Sequence, residues 1–169
     1  TERCTEIDLM EGNTNAIAST LHTHAGQVDD GSCNQWGCAQ GWGVGDRNCR
    51  YGRGSPNIDS SIPFDVTATV DTSGYMRITV SQDGRSHIIW DVHSPTSMPY
   101  WPATTVPADA IERMYAALSG GVVFVASLWG GTPGASQWMD GGCTAAYPQC
   151  DIENARFKIS NLRVLGGAS

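Results

Sequence analysis

The sequence predicts an all-β fold: two layers of antiparallel strands forming a sandwich, with one inserted helix. Three observations carry this. Short β-branched runs alternate polar and apolar residues, the period of a half-buried strand. Turn signals rich in Gly, Asp and Ser separate them. One segment alone has helical spacing. At 169 residues, 40% of them apolar and 16% charged, the chain suits a single globular domain burying roughly 70% of its unfolded surface.

Residues 3–10 alternate and read as the first strand. Residues 25–57 are rich in Gly, Asn, Asp, Arg and Cys, and read as a long irregular region held by cysteines. "PFDVTATV" (63–70) and "GYMRITVSQ" (74–82) flank the turn signal "TSG" and predict a hairpin. "SHIIWDV" (86–92) follows the turn signal "DGR". "SPTSMPYWPATTVP" is a Pro-rich loop. "ADAIERMYAAL" (108–118) places Ile111, Met114, Tyr115 and Leu118 at helical spacing, and Ser119-Gly120-Gly121 ends it. "GVVFVASLW" (121–129) and "ARFKISNLRVL" (155–165) predict two further strands. There is no internal repeat, low-complexity tract or linker.

A net charge of −7 opposes nucleic-acid binding, which draws on Lys and Arg to displace counterions, and opposes anionic membranes. No apolar run has the length of a spanning helix, and no signal peptide is recognisable. Thr1 reads as a processed start. Six cysteines, at 4, 33, 38, 49, 143 and 150, point to disulfides and a secreted, extracellular protein. His22-x-His24 with Cys33-x4-Cys38 can be drawn as a zinc cage, but these are not the tight pairs that zinc sites favour. No cofactor and no metal are expected.

The stretch "EIDLMEG" carries Glu6, Asp8 and Glu11 within six residues. Residues two apart share a strand face, so Glu6 and Asp8 point the same way. Glu11 is five beyond Glu6 and falls on the opposite face of a regular strand. One extra residue at Leu9–Met10, a β-bulge, returns it. Gathered carboxylates repel, and at least one pKa rises. Retaining glycoside hydrolysis has this requirement: one ionised carboxylate attacks the sugar and a second, still protonated, donates to the leaving oxygen. A solvated edge strand whose acids deter aggregation, and calcium binding by the three acids, are the alternatives.

E-x-D-x-x-E resembles the catalytic strand of a glycosidase clan, glycoside hydrolase families 7 and 16. Cys4, His22 eleven residues past Glu11, the pair Cys33 and Cys38, "SGGVVFVASLWGGTPGASQWMDGG" (119–142) and "NARFKISNLRV" (154–164) resemble family 7, the cellulases, more closely. The resemblance implies a concanavalin A-like jelly-roll β-sandwich. It implies Glu6 as nucleophile, Asp8 as its hydrogen-bonding assistant, Glu11 as general acid/base, His22 near the reacting sugar, and Trp129 and Trp138 as stacking platforms. The physics of indoles on pyranose faces suits the last role, with core packing as the alternative. His24, His87 and His93 read as structural or solvent-facing, and Arg47, Arg50 and Arg53 as loop salt bridges, one of which could reach a sugar hydroxyl. Trp36, Trp42, Trp90 and Trp101 could fill the core or extend a cleft.

The resemblance covers about the second half of a family domain. The chain is therefore expected to be either a compact single domain or the C-terminal subunit of a two-chain sandwich whose partner polypeptide supplies the N-terminal strands. A shorter 40–120 segment than in long-tunnel cellobiohydrolases implies an open groove. The expected function is a secreted retaining β-glucanase acting on β-1,4-glucan. "MEGNTNAIASTLHTH" also resembles family 16 enzymes, which cut β-1,3 or mixed-linkage glucans. A lectin or defence protein on the same sandwich, with little catalysis, is the reading from another class.

Overall fold

The structure, a computed structural model, describes residues 5–22, 38–42, 50–71, 75–91, 108–128, 154 and 156–166. Strands make up 44% of these, with one helix and antiparallel sheets, so the all-β expectation holds. The strands are β1 (Glu6–Gly12), β2 (Ile17–His22), β3 (Cys38–Trp42), β4 (Tyr51–Gly52), β5 (Ile58–Asp59), β6 (Asp65–Val70), β7 (Met76–Gln82) and β8 (Arg85–Asp91). The helix α1 is Ala108–Ser119. Strands β1-β2-β3 form one antiparallel sheet and β6-β7-β8 another, while the short pair β4-β5 runs parallel.

One core joins these elements. It contains Ile17 and Leu21 of β2, Tyr51 of β4, Ile58 of β5, Met76, Ile78 and Val80 of β7, Ile89 and Trp90 of β8, and Met114 of α1. In β7 the buried residues alternate with partly exposed ones, the period-2 pattern legible in the sequence. The β7–β8 connection is a two-residue turn. Asp83 (φ 51°) and Gly84 (φ 77°) both take positive φ, as a tight hairpin requires. A register shift opposite Ile78–Thr79 makes Ile89 the extra residue of β8. It lets the consecutive residues Ile89 and Trp90 both enter the core, each 1% exposed. Gln82 takes the next core position of β7 and is fully engaged. Its Oε1 accepts from Asp59 N (2.8 Å) and its Nε2 donates to the carbonyls of Asp59 (3.0 Å), Ile62 (3.4 Å) and Pro63 (3.1 Å). This clasp ties β5 and the turn after it to β7.

α1 ends where the glycines stand. Gly120 N donates to the carbonyls of Ala116 and Ala117, Gly121 N donates to that of Leu118, and Gly121 has φ 95°, a backbone that suits glycine at a helix terminus.

Three sequence expectations are corrected. Residues 25–57 are not irregular throughout, because β3 and β4 lie within them. Residues 121–128 and 156–166 form no strand, although both carry the apolar pattern of one. A strand needs a neighbour for its backbone N–H and C=O groups, and none of the described strands pairs with either segment. Asn161 also interrupts the second, with φ 56°, a left-handed conformation that asparagine tolerates. Both segments leave large apolar side chains exposed, among them Val123 (86%), Val125 (74%), Val164 (92%) and Leu165 (86%).

Candidate active site

The candidate site lies on the face of the β1-β2-β3 sheet opposite the core. β1 and β2 are joined by a turn that the sequence builds from Asn13. Its side-chain Oδ1 accepts from the amides of Asn15 (2.7 Å) and Ala16 (3.0 Å), and its own amide donates to the Ala16 carbonyl (3.0 Å). Asn favours such turns because its short side chain mimics a backbone acceptor. From the far side, Tyr51 Oη donates to the Asn13 carbonyl (2.9 Å) and Ser60 Oγ to that of Thr14 (2.6 Å). Burial pushes the Tyr51 phenol up, so it stays a neutral donor.

From this turn the ladder runs Gly12↔Ile17 and Glu11↔Ala18, then resumes at Asp8↔Thr20, Ile7↔Leu21 and Glu6↔His22. Between Asp8 and Glu11 the register shifts: Leu9 and Met10 together stand opposite Ser19. The bulge expected at Leu9–Met10 is present. Leu9 packs with Ile7 against the core, while Met10 is 41% exposed. Directly opposed residues of an antiparallel pair share a face. Glu6, Asp8 and Glu11 therefore lie on one face, with Ala18, Thr20 and His22 of β2 beside them. In β3 the register partners of Ala18 and Thr20 are Gly41 and Ala39, both small residues.

The interrupted ladder is repaired by side chains. Ser19 Oγ donates to the Asp8 carbonyl at 2.8 Å. Thr20 Oγ1 donates to Glu11 Oε2 at 2.7 Å. His22 Nε2 lies 3.1 Å from Asp8 Oδ2.

Electrostatics separates the acids. Glu6 is held above the usual carboxylate range first by the charge of Asp8, then by burial and a hydrogen bond with Asp8, against a downward pull from His22. Glu11 is raised first by burial. The Thr20 hydrogen bond opposes this, the charges of Asp8 and Glu6 add to it, and His22 lowers it. The face thus holds a hydrogen-bonded carboxyl pair, Glu6–Asp8, steadied by His22, and a separate half-buried carboxyl, Glu11, held by Thr20. Such a set can present an anionic nucleophile and a proton donor together.

Four of the six residues singled out in the sequence are brought onto one face. The other two, Trp129 and Trp138, lie outside the described residues, as do Cys4, Cys33, Cys49, Cys143 and Cys150. Trp90 is core. Sequence reasoning missed Ser19 and Thr20. The signal was two consecutive hydroxyls in a strand that is otherwise apolar up to His22. Among the described residues no group of three or more His, Cys, Asp and Glu is arranged to hold a metal ion. No helix among them is long and apolar enough to cross a membrane.

The chain matches no protein-family profile and no curated protein sequence.

Proposed function

We propose that the protein is a retaining glycoside hydrolase acting on a β-glucan. The observation that carries this reading is the bulge, which sets a half-buried Glu11, its pKa raised first by burial, on the same face as the hydrogen-bonded Glu6–Asp8 pair. A solvated acidic edge strand does not require a half-buried carboxyl, a buried hydroxyl donating to it or a His–Asp pair.

In the proposed reaction Glu6, in its ionised form, attacks the anomeric carbon. The glycosidic C–O bond breaks as Glu11 gives its proton to the departing oxygen, leaving a glycosyl ester on Glu6. Glu11, now ionised, takes a proton from water. The resulting hydroxide equivalent attacks the same carbon and frees Glu6 with retained configuration. His22, whose Nε2 lies 3.1 Å from Asp8 Oδ2, restrains Asp8. Trp129 and Trp138 are proposed as sugar-stacking platforms. The motif-level resemblance to family 7 favours β-1,4-glucan over the β-1,3 or mixed linkages of family 16. It also favours a secreted protein with a jelly-roll sandwich, to which the two antiparallel sheets would belong.

The deciding assay is hydrolysis of soluble cellulose derivatives against laminarin and mixed-linkage glucan, by wild type and Glu6→Gln. The variant is expected to lose hydrolysis and keep oligosaccharide binding. Unchanged turnover would remove Glu6 from the chemistry. Binding by wild type without hydrolysis of any glucan would favour the lectin reading.

We further propose that a second polypeptide supplies β-strands to this chain. The exposed apolar residues of 121–128 and 156–166 support it, because strand-patterned segments gain stability from a neighbour that satisfies both backbone and side chains. Intact mass and denaturing gels of naturally produced material, with and without reductant, test for that chain. A single species of this chain's mass, monomeric in solution, would reject it.

A further inference from the structure

We infer that Thr20 is a positioning residue for Glu11, its hydroxyl fixing one carboxyl oxygen so that the other carries the transferable proton. The inference rests on the proposed hydrolase reading and extends it to a residue outside the acidic strand. Thr20 is 2% exposed, in a central strand buried on both faces over Ile17–Leu21. A buried hydroxyl without a partner is costly, and an apolar side chain of the same shape fills such a position more simply. This hydroxyl has a partner, Glu11 Oε2 at 2.7 Å. The β-branched side chain has restricted χ1 freedom, and its backbone is fixed between Asp8 on one side and Ala39 on the other. The donor is therefore pre-set rather than searching. With Oε2 occupied, Oε1 is left for the proton.

Ser19 completes the device one residue away. Its hydroxyl holds the Asp8 carbonyl at the interrupted point of the ladder. Two successive residues of β2 thus secure the backbone of the bulge and the side chain that the bulge delivers. The charged groups acting on Glu11 among the described residues are Asp8 and Glu6 of β1, which favour its protonated form, and His22 of β2, which opposes them. The Thr20 hydrogen bond also favours the ionised form, so it eases proton release.

The test compares Thr20→Val, Thr20→Ala and Thr20→Ser in the full chain. Two readouts are used: a carboxyl ¹³C NMR titration of Glu11, and the pH profile of glucan hydrolysis. Val and Ala remove the hydroxyl with and without extra bulk, so one stands in if the other fails to fold. Both are expected to move the Glu11 titration to higher pH and to move the alkaline limb of kcat with it. They are also expected to lower kcat about tenfold to a hundredfold, no more than the ~100-fold at which a general acid's full contribution begins, with KM little changed. Ser is expected to restore both. A Glu11 titration that stays in place without the hydroxyl overturns the inference, as does an alkaline limb that stays in place in an active variant. If wild type hydrolyses no glucan, the proposed function fails by that result, and the NMR titration alone decides the role of Thr20.

Discussion

Leu21→Ala tests the face assignment on which the site depends. Leu21 is 0% exposed and stands opposite Ile7 in β1. The substitution removes three carbons, about 2.4 kcal/mol of transfer free energy at ~0.8 kcal/mol per methylene. Strands on both sides limit collapse into the space, so a cavity contribution brings the loss to about 3–4 kcal/mol. That is a large share of the ~5–15 kcal/mol that stabilises a typical domain. Urea unfolding followed by tryptophan fluorescence, with buried Trp90 among the reporters, is expected to show a midpoint lowered by roughly 1.5–2 M with an unchanged slope, for a slope of about 2 kcal/mol/M. A loss below about 1 kcal/mol would refute the reasoning. Side chains alternate faces along a strand, so a Leu21 outside the core means a register slipped by one residue. Glu6, Asp8 and Glu11 would then face the interior, and the candidate site would not exist.

Further outcomes follow from the same geometry. Glu11→Gln is expected to be more stable than wild type at alkaline pH, with the difference vanishing under acid. A carboxyl with a raised folded-state pKa contributes stability below its unfolded pKa and loses it as pH rises through the folded one; thermal melts across pH read this out, and a variant less stable at all pH values contradicts it. Gly84→Ala is expected to cost about 1 kcal/mol, because φ is 77° and no atom lies within 4 Å of the new methyl. Gly12→Ala is expected to cost more, about 1–3 kcal/mol, since its methyl would stand 2.9 Å from the Ala16 carbonyl oxygen; urea midpoints rank the two. Val123→Lys with Val125→Lys is expected to leave stability of the isolated chain within about 0.5 kcal/mol while weakening association with a strand-donating partner, measured by sedimentation velocity.

The hairpin, the Asp-Gly turn and the helix were legible because alternation, turn chemistry and helical spacing are local properties. The bulge was legible for a different reason: a five-residue offset between Glu6 and Glu11 is incompatible with a regular strand presenting both on one face. β2 was not legible. Its Ile17–Leu21 core is buried on both faces, so no polar–apolar alternation marks it, and the roles of Ser19 and Thr20 emerge only beside their partners in β1. β3, with Gly41 and the preceding glycine-rich sequence, carries weak strand propensity and is set by pairing with β2. Gln82 hides in the same way: a polar residue at a core position makes sense only beside the backbone of Asp59, Ile62 and Pro63. Residues 121–128 and 156–166 show the converse. Their pattern states which side chains seek burial and is silent on what will cover them.

The two hydrogen bonds from Tyr51 and Ser60 to the Asn13–Thr14 carbonyls clamp one end of the acidic hairpin. Glu11 stands two residues before the clamped Asn13, whereas Glu6 stands at the opposite end of β1. Amide exchange is expected to slow along β1 toward Gly12. For the proposed double displacement this asymmetry would be useful. Glu11, the proposed proton donor, whose aim must survive two opposite transfers, is held by the clamped end. Glu6, the proposed nucleophile, which must follow the anomeric carbon as a bond forms and later breaks, stands at the other end of the strand.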